Sequence, residues 1–278
     1  FKVEGYKISW QGYEFRVSMH PVNGLVLHQI SLQGRPILYR AALSDMVVPY
    51  GSADPMHSWK AVHDGTEYGF GRLSNSLTLG CDCLGEIHYF NASGISFDGS
   101  VEVIENAICL HEEDYGIQWK HNDGMGAPNE VRRSRRLVIS TISTIGNYDY
   151  GLFWYLYLDG TIEAEVKLTG IVGISAYNEE KHNPNQDLRI SKELVSPVHQ
   201  HLFCMRLDWN LDGGNNQLFE SEIELMPDDD NNPYGMQFQS VSTHLKTEHE
   251  AKRDISPATS RVCLLYTSPS PRDLSTSR

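Results

Sequence analysis

Asn147-Tyr148-Asp149 and His199-Gln200-His201 carry side chains whose types and spacing could do chemistry. A phenol flanked by an amide and a carboxylate is an oxidisable ring with polar groups beside it. Histidines at alternate positions of an extended chain point to the same face, because side chains alternate with period two along a strand. Such a pair can bind one transition metal. A redox metal beside a positioned tyrosine can oxidise the ring itself. Taken singly, both motifs have plainer readings: a tyrosine most often serves packing, and an isolated His-x-His is more often coincidence than a site.

The elements that must hold these residues read as β-strands. Phe153 to Leu158, then Asp159-Gly160, then Thr161 to Leu168 predicts a hairpin with a two-residue Asp-Gly turn. Leu25 to Leu32 and Leu137 to Ile142 are further strand-like runs, and Gly12, Asn23-Gly24, Gly34-Arg35-Pro36, Gly65 and Asp98-Gly99 mark turns. Long amphipathic helical patterns are scarce, so the fold class is mainly β, with strands at the spacing of a sandwich or barrel. Asn178 to Asp187 reads as a polar loop, and Asp228-Asp229-Asp230 as a solvated acidic turn.

Composition narrows the function. The 278 residues, 40% hydrophobic and 10% aromatic, are those of a globular chain able to bury a substantial core. A net charge of −13 repels phosphate backbones and anionic membranes, which argues against nucleic-acid and membrane partners and suits a cationic ligand. No apolar run reaches the roughly 18 residues of a membrane-spanning helix. Phe1-Lys2-Val3-Glu4 has neither an initiator Met nor a leader pattern and reads as the interior of a longer protein. Five cysteines are too few for a disulfide scaffold. Nothing in the sequence points to a compartment.

Residues 1–261 resemble the copper amine oxidases, on Thr144 to Asp149, His199-Gln200-His201 and the upstream Val62-His63-Asp64-Gly65. With these in the family's order, the chemical reading displaces the plainer ones. The resemblance implies part of the large β-sandwich of the catalytic domain, incomplete at the C-terminus. Tyr148 would be the precursor of topaquinone, the cofactor that forms a Schiff base with the substrate, and Asn147 would restrict its orientation. Tyr50, in Val47-Val48-Pro49-Tyr50-Gly51, would hydrogen-bond the cofactor oxygen. Asp64 would be the proton acceptor, although Asp-Gly alone reads as a turn. Val62 stands where many members place a bulky gate.

His199 and His201 would bind copper, with the family's third histidine absent from this chain; His244 and His249 do not match it. Asp208 matches a ligand of a peripheral calcium or manganese site, where Asn210 replaces a common aspartate. The family often joins cysteines at the positions of Cys83 and Cys109. His111-Glu112-Glu113-Asp114 reads as structural, and His63 as a neighbour of the base. The implied reaction is oxidative deamination of a primary amine by oxygen to an aldehyde, ammonia and hydrogen peroxide, in a homodimer when full length. Two rivals stand beside it: a catalytically inactive metal- or partner-binding fragment or relative, and a carbohydrate or adhesion sandwich using Trp59 and Trp119. From Val262 the composition turns to Ser, Pro and Arg, so residues 262–278 are expected to be an unrelated tail, read-through or disordered.

Overall fold

The computed structural model describes residues 1–267 apart from Phe97, Ala127 and Lys181. The chain divides into two units, residues 1–34 with 38–208 and residues 35–37 with those from Trp209 onward. In the first, β1 (Lys2–Glu4), β2 (Lys7–Trp10), β3 (Tyr13–His20), β4 (Gly24–Leu32) and β5 (Arg35–Pro49) follow one another across a sheet. The short β6 (Ala61–Val62) also pairs with β5. A single helical turn, α1 (Asp64–Tyr68), follows it. The second large sheet is an antiparallel meander of β7 (Ile87–Ile95), β8 (Val101–His121), β9 (Glu130–Ile145), β10 (Tyr148–Tyr157) and β11 (Ile162–Gly170). A small sheet of β12 (Ser175–Ala176), β13 (Asp187–Arg189) and β14 (Leu194–Pro197) comes next, and β15 (Leu202–Trp209) returns to flank β5.

Alternation explains the packing. Along β3, Tyr13, Phe15 and Val17 are buried while Glu14 and Arg16 are exposed, the period of a sheet with one face on a core. The two large sheets face each other: Trp10 Nε1 donates to Glu112 Oε2 at 2.8 Å, and Tyr6 stacks on Phe90 with ring centroids 5.7 Å apart. In β9 the run Leu137 to Thr141 is buried on both faces. Leu137 and Ile139 look one way, whereas Val138 packs with Tyr155 and Tyr157 on the other. The sandwich expected from strand spacing is therefore present, with β9 and β10 at its most covered part.

The hairpin of β10 and β11 forms where the sequence predicts it, but its turn is wider. Tyr157 N–H donates to Thr161 O at 3.0 Å, leaving Leu158-Asp159-Gly160 as a three-residue loop. Gly160 takes a φ of +94° and Asp159 Oδ1 caps Thr161 N–H at 2.9 Å. A loop ending on a left-handed glycine satisfies the strand twist as well as a two-residue turn does.

In the second unit β16 (Asn216–Leu225) is flanked by β17 (Phe238–Leu245) and β18 (Val262–Thr267). The first six residues of the segment with the changed composition thus form β18, paired antiparallel to β16. Ser268–Arg278 lie outside the described residues. Asp228, Asp229 and Asp230 sit exposed between β16 and β17, as the sequence predicts.

Candidate active site

Tyr148 opens β10 immediately after a two-residue turn, Gly146-Asn147, in which Gly146 has a φ of +63° at the first position, the pattern of a type II′ hairpin. The ring is thereby fixed at the end of an interior strand, with Ile145 paired on one side and Gly170 on the other. Each neighbour in the motif has a local task. The Asn147 carbonyl accepts Ile171 N–H at 2.7 Å, and its side-chain amide donates to the Ile171 carbonyl. Thr144 Oγ1 donates to Asp149 and accepts from Asn75 Nδ2 at 3.1 Å. Gly170 is required at its position: with φ +94°, an added Cβ would lie 2.7 Å from Asn147 O and 2.9 Å from Tyr148 Cα.

The histidines arrive from the link between β14 and β15. They do not lie on a named strand, as their spacing suggested; His199 makes an isolated bridge to Tyr50, and His201 stands just before β15. Gly51 N–H to Val198 O at 2.8 Å and Gln200 N–H to Pro49 O at 3.2 Å keep the link extended, so the two rings stay together at 5.0 Å between centroids. His199 Nδ1–H donates to Pro197 O at 2.8 Å, because a carbonyl can only accept. Its Nε2 lone pair then receives the Tyr148 hydroxyl at 3.0 Å, and the phenol oxygen accepts Gly173 N–H at 3.2 Å. His201 Nδ1 meets the Tyr150 hydroxyl at 3.1 Å. Burial, then His199 beside it, pushes the pKa of His201 down, favouring the neutral ring that ligates metals.

Two adjacent imidazoles, His199 with its Nδ1–H committed to Pro197 O, next to a phenol, are a donor set that suits copper. Among the described residues no group of three His, Cys, Asp or Glu side chains converges to hold a metal.

Tyr50, just past β5, bridges His199, and Asp64 opens α1. The Tyr50 ring lies between His199 and His57, stacked on both at 4.8 Å and 5.4 Å. Burial, followed by Tyr148 and Asp64, pushes its hydroxyl up to about 12. Asp64 is 8% exposed, and burial, then the charges of Glu67 and Asp45, lift its carboxyl to about 6. Its charge in turn raises Tyr150, after burial. Asp64, Tyr50, Tyr148 and Tyr150 therefore share one electrostatic neighbourhood. A cavity of about 210 Å³ opens beside the ring, lined by Tyr148, Tyr150, Leu168, Gly170, Val172 and His201. Val62 is half-buried on β6.

The remaining candidates fall outside this cluster. Asp208 is half-buried on β15. Glu112 pairs with Arg135, Glu113 with Arg136 and Asp114 with Arg133, so the acidic run after His111 is occupied by arginines, consistent with a structural part. Cys83 and Cys109 are free thiols in one buried cluster with Leu77. Sequence reasoning missed His57, whose Nε2 meets Ser175 Oγ at 2.7 Å beneath Tyr50; no motif marks it. It also missed Asp45, although a carboxylate inside the apolar run Leu43 to Val48 was a signal.

Sandwich, hairpin-borne tyrosine and paired histidines together set an oxidisable phenol beside two adjacent imidazoles. A family model described as copper amine oxidase, enzyme domain, matches residues 2–275. The chain belongs to the copper amine oxidase family. It is 47% identical over 270 residues to the histamine oxidase of Arthrobacter globiformis, covering 94% of this chain and 39% of that protein. It is 45% identical over 265 residues to the primary amine oxidase of Arthrobacter sp. (strain P1), covering 94% and 40%. A crystal structure of a copper-containing benzylamine oxidase from Hansenula polymorpha superposes with a TM-score of 0.85 at 34% identity, over 94% of this chain and 41% of that one. The chain thus spans about two fifths of the length of these relatives. No helix among the described residues is long and apolar enough to cross a membrane.

Proposed function

We propose that the protein is a copper- and topaquinone-dependent primary amine oxidase, consuming a primary amine, water and oxygen and releasing an aldehyde, ammonia and hydrogen peroxide. The observation that carries this reading is the Tyr148 hydroxyl held between His199 Nε2 at 3.0 Å and Gly173 N–H at 3.2 Å, with a buried carboxylate in the same neighbourhood. His199 and His201 would hold copper, and Tyr148 would be the ring converted to topaquinone. When present, that quinone supplies an electrophilic carbonyl and a two-electron sink that no unmodified side chain provides.

The chain's own residues do the rest. Asp64 takes the proton from the carbon bearing the amine. With a pKa near 6 it is ionised at neutral pH, yet basic enough for the task. Burial, then the charges of Glu67 and Asp45, gives it that strength. Tyr50, protonated up to about 12, remains a donor throughout the working range and can hold an oxygen of the ring. The Asn147 amide, tied to Ile171, bounds the ring on the turn side. Leu168 and Val172 give the adjoining cavity apolar walls.

Further parts of the reading concern the larger protein. Homodimerisation is supported by the ribbon formed where β8 and β9 run on past β7 and β10, which exposes Ile117 and Trp119. Cys83 and Cys109 would close as a disulfide in an oxidising compartment, supported by their shared buried cluster. Asp208 would contribute to a peripheral calcium or manganese site. Residues 1–261 would be the catalytic-domain part; the pairing of Val262–Thr267 with β16 and a family match that runs to residue 275 favour a boundary further along than 261.

Tyr148→Phe tests the central claim: with copper supplied under air, it is expected to abolish amine-dependent peroxide while copper binding persists. Peroxide production by Tyr148→Phe at the unaltered rate would sink the proposal. The second reading, an inactive metal-binding relative, is favoured by one observation, the convergence of only two imidazoles among the described residues. Copper binding without any quinone absorbance in the unaltered protein would support it.

A further inference from the structure

The turn that presents Asp64 is capped from within only by Glu67, whose Oε1 accepts His63 N–H at 3.4 Å. His63 stands at the N-cap of α1 and makes no side-chain cap hydrogen bond. First-turn amides need acceptors from outside the helical ladder. Here β5 supplies one: Asp45 Oδ1 accepts Thr66 N–H at 3.2 Å and Met46 N–H at 2.8 Å. Its other oxygen, Oδ2, accepts His63 Nδ1–H at 2.9 Å. Gly65 completes the contact, since a Cβ there would lie 2.7 Å from Asp45 Oδ1. The residue before Asp64 and the two after it therefore all bear on one carboxylate. Among the described residues the Asp64 carboxylate itself has no hydrogen-bond partner, so its aim depends on how its backbone is held.

We propose that Asp45 is the positioning residue of the base, clamping the turn that carries Asp64 to β5 through the Thr66 amide and the His63 ring. The proposal rests on the reading of Asp64 as proton acceptor. Burial works against ionisation of Asp45, but hydrogen bonds from His63, Met46 and Thr66 outweigh it and hold its carboxyl below the usual range. Asp45 is thus a fixed negative charge at neutral pH. The other groups facing Asp64 are Glu67 of α1, Tyr50 at the end of β5 and Tyr150 of β10. Position and charge are consequently separable by substitution: asparagine keeps an oxygen for Thr66 and loses the charge, whereas alanine loses both.

The experiment compares Asp45→Asn, Asp45→Ala and Asp64→Asn. In the chain without metal, amide exchange at Thr66 and the carboxyl titration of Asp64 are followed by NMR. In the copper- and quinone-containing protein, kcat, KM and the acid limb of the pH profile are measured. Asp45→Ala is expected to speed Thr66 exchange by about tenfold or more, as for loss of a charge-assisted hydrogen bond. It should lower kcat by about ten- to a hundredfold through misplacement of the base, with KM little changed. Asp45→Asn is expected to keep Thr66 exchange near normal and recover most of kcat, while Asp64 and the acid limb titrate at lower pH. Should Asp64→Asn be inactive while both Asp45 variants leave exchange, titration and kcat where they were, the proposal is overturned. Full turnover by Asp64→Asn would instead overturn the assignment of the base, and the clamp with it.

Discussion

Asp64 shows at the scale of one residue how function and stability oppose each other. Its carboxyl titrates near 6 in the folded chain against an ordinary 3.8. Between those values the folded state holds more protons than the unfolded one, so stability falls as pH rises from about 4 to about 6 and stays lower above. Keeping the carboxylate ionised at neutral pH costs about 3 kcal/mol. Asp64→Asn is therefore expected to be inactive but more stable, by about 1–3 kcal/mol at pH 7 and by little at pH 4. Thermal midpoints at the two pH values measure this, and an equal change at both would show that the carboxylate is not held against its charge. From the sequence Asp64 and Tyr148 were singled out only through the resemblance their motifs carry, since Asp-Gly alone reads as a turn and a lone tyrosine as packing. His57 was not, because a histidine in an irregular loop is defined only by what folds against it, here the face of Tyr50.

At the scale of elements, the β9–β10 hairpin and the glycine opposite it set the position of Tyr148. The strands themselves were legible from alternation, and so was the hairpin of β10 and β11. Its loop length was not, since two- and three-residue turns share the Asp-Gly signal and differ only in where the last rung closes. Nor was the departure of His199 and His201 from regular strand, which follows from the bridge to Tyr50, a contact distant in sequence. Gly170→Ala tests the element directly. A left-handed φ and contacts of 2.7 Å to both Asn147 O and Asp149 N are expected to cost about 3 kcal/mol in all. Gly80→Ala, at φ +91° with open space around it, should cost only the backbone part, about 1–2 kcal/mol. Denaturant midpoints that fall equally for the two would show that Gly170 is not clamped.

At the scale of the molecule, the first unit is closed by its paired sheets except where one ribbon leaves them. β8 and β9 continue beyond their other neighbours over residues 112–121 and 130–135, held by pairs such as Asp114–Arg133 and Glu112–Arg135. Ile117 is 57% exposed there and Trp119 48%. A double change, Ile117→Glu with Trp119→Glu, is expected to shift the protein toward monomer in sedimentation, with the far-ultraviolet circular dichroism unchanged. An undiminished dimer would remove the ribbon from the interface. That the ribbon projects was not legible in the sequence, since a strand that leaves its sheet alternates like one that stays.

The register of β10 carries one more consequence. It pairs with β9 without interruption from Tyr148 opposite Ile145 to Tyr157 opposite Arg136, whereas the β3–β4, β7–β8 and β8–β9 ladders each contain an irregular step. A ladder with a bulge has already absorbed an extra residue; one without has nowhere to put it. A single codon gained or lost within β10 would turn the strand beyond that point inside out, bringing core residues to the wrong face. This stretch can therefore change by substitution, while gains and losses of single residues are confined to the ladders that already carry an irregular step and to the loops.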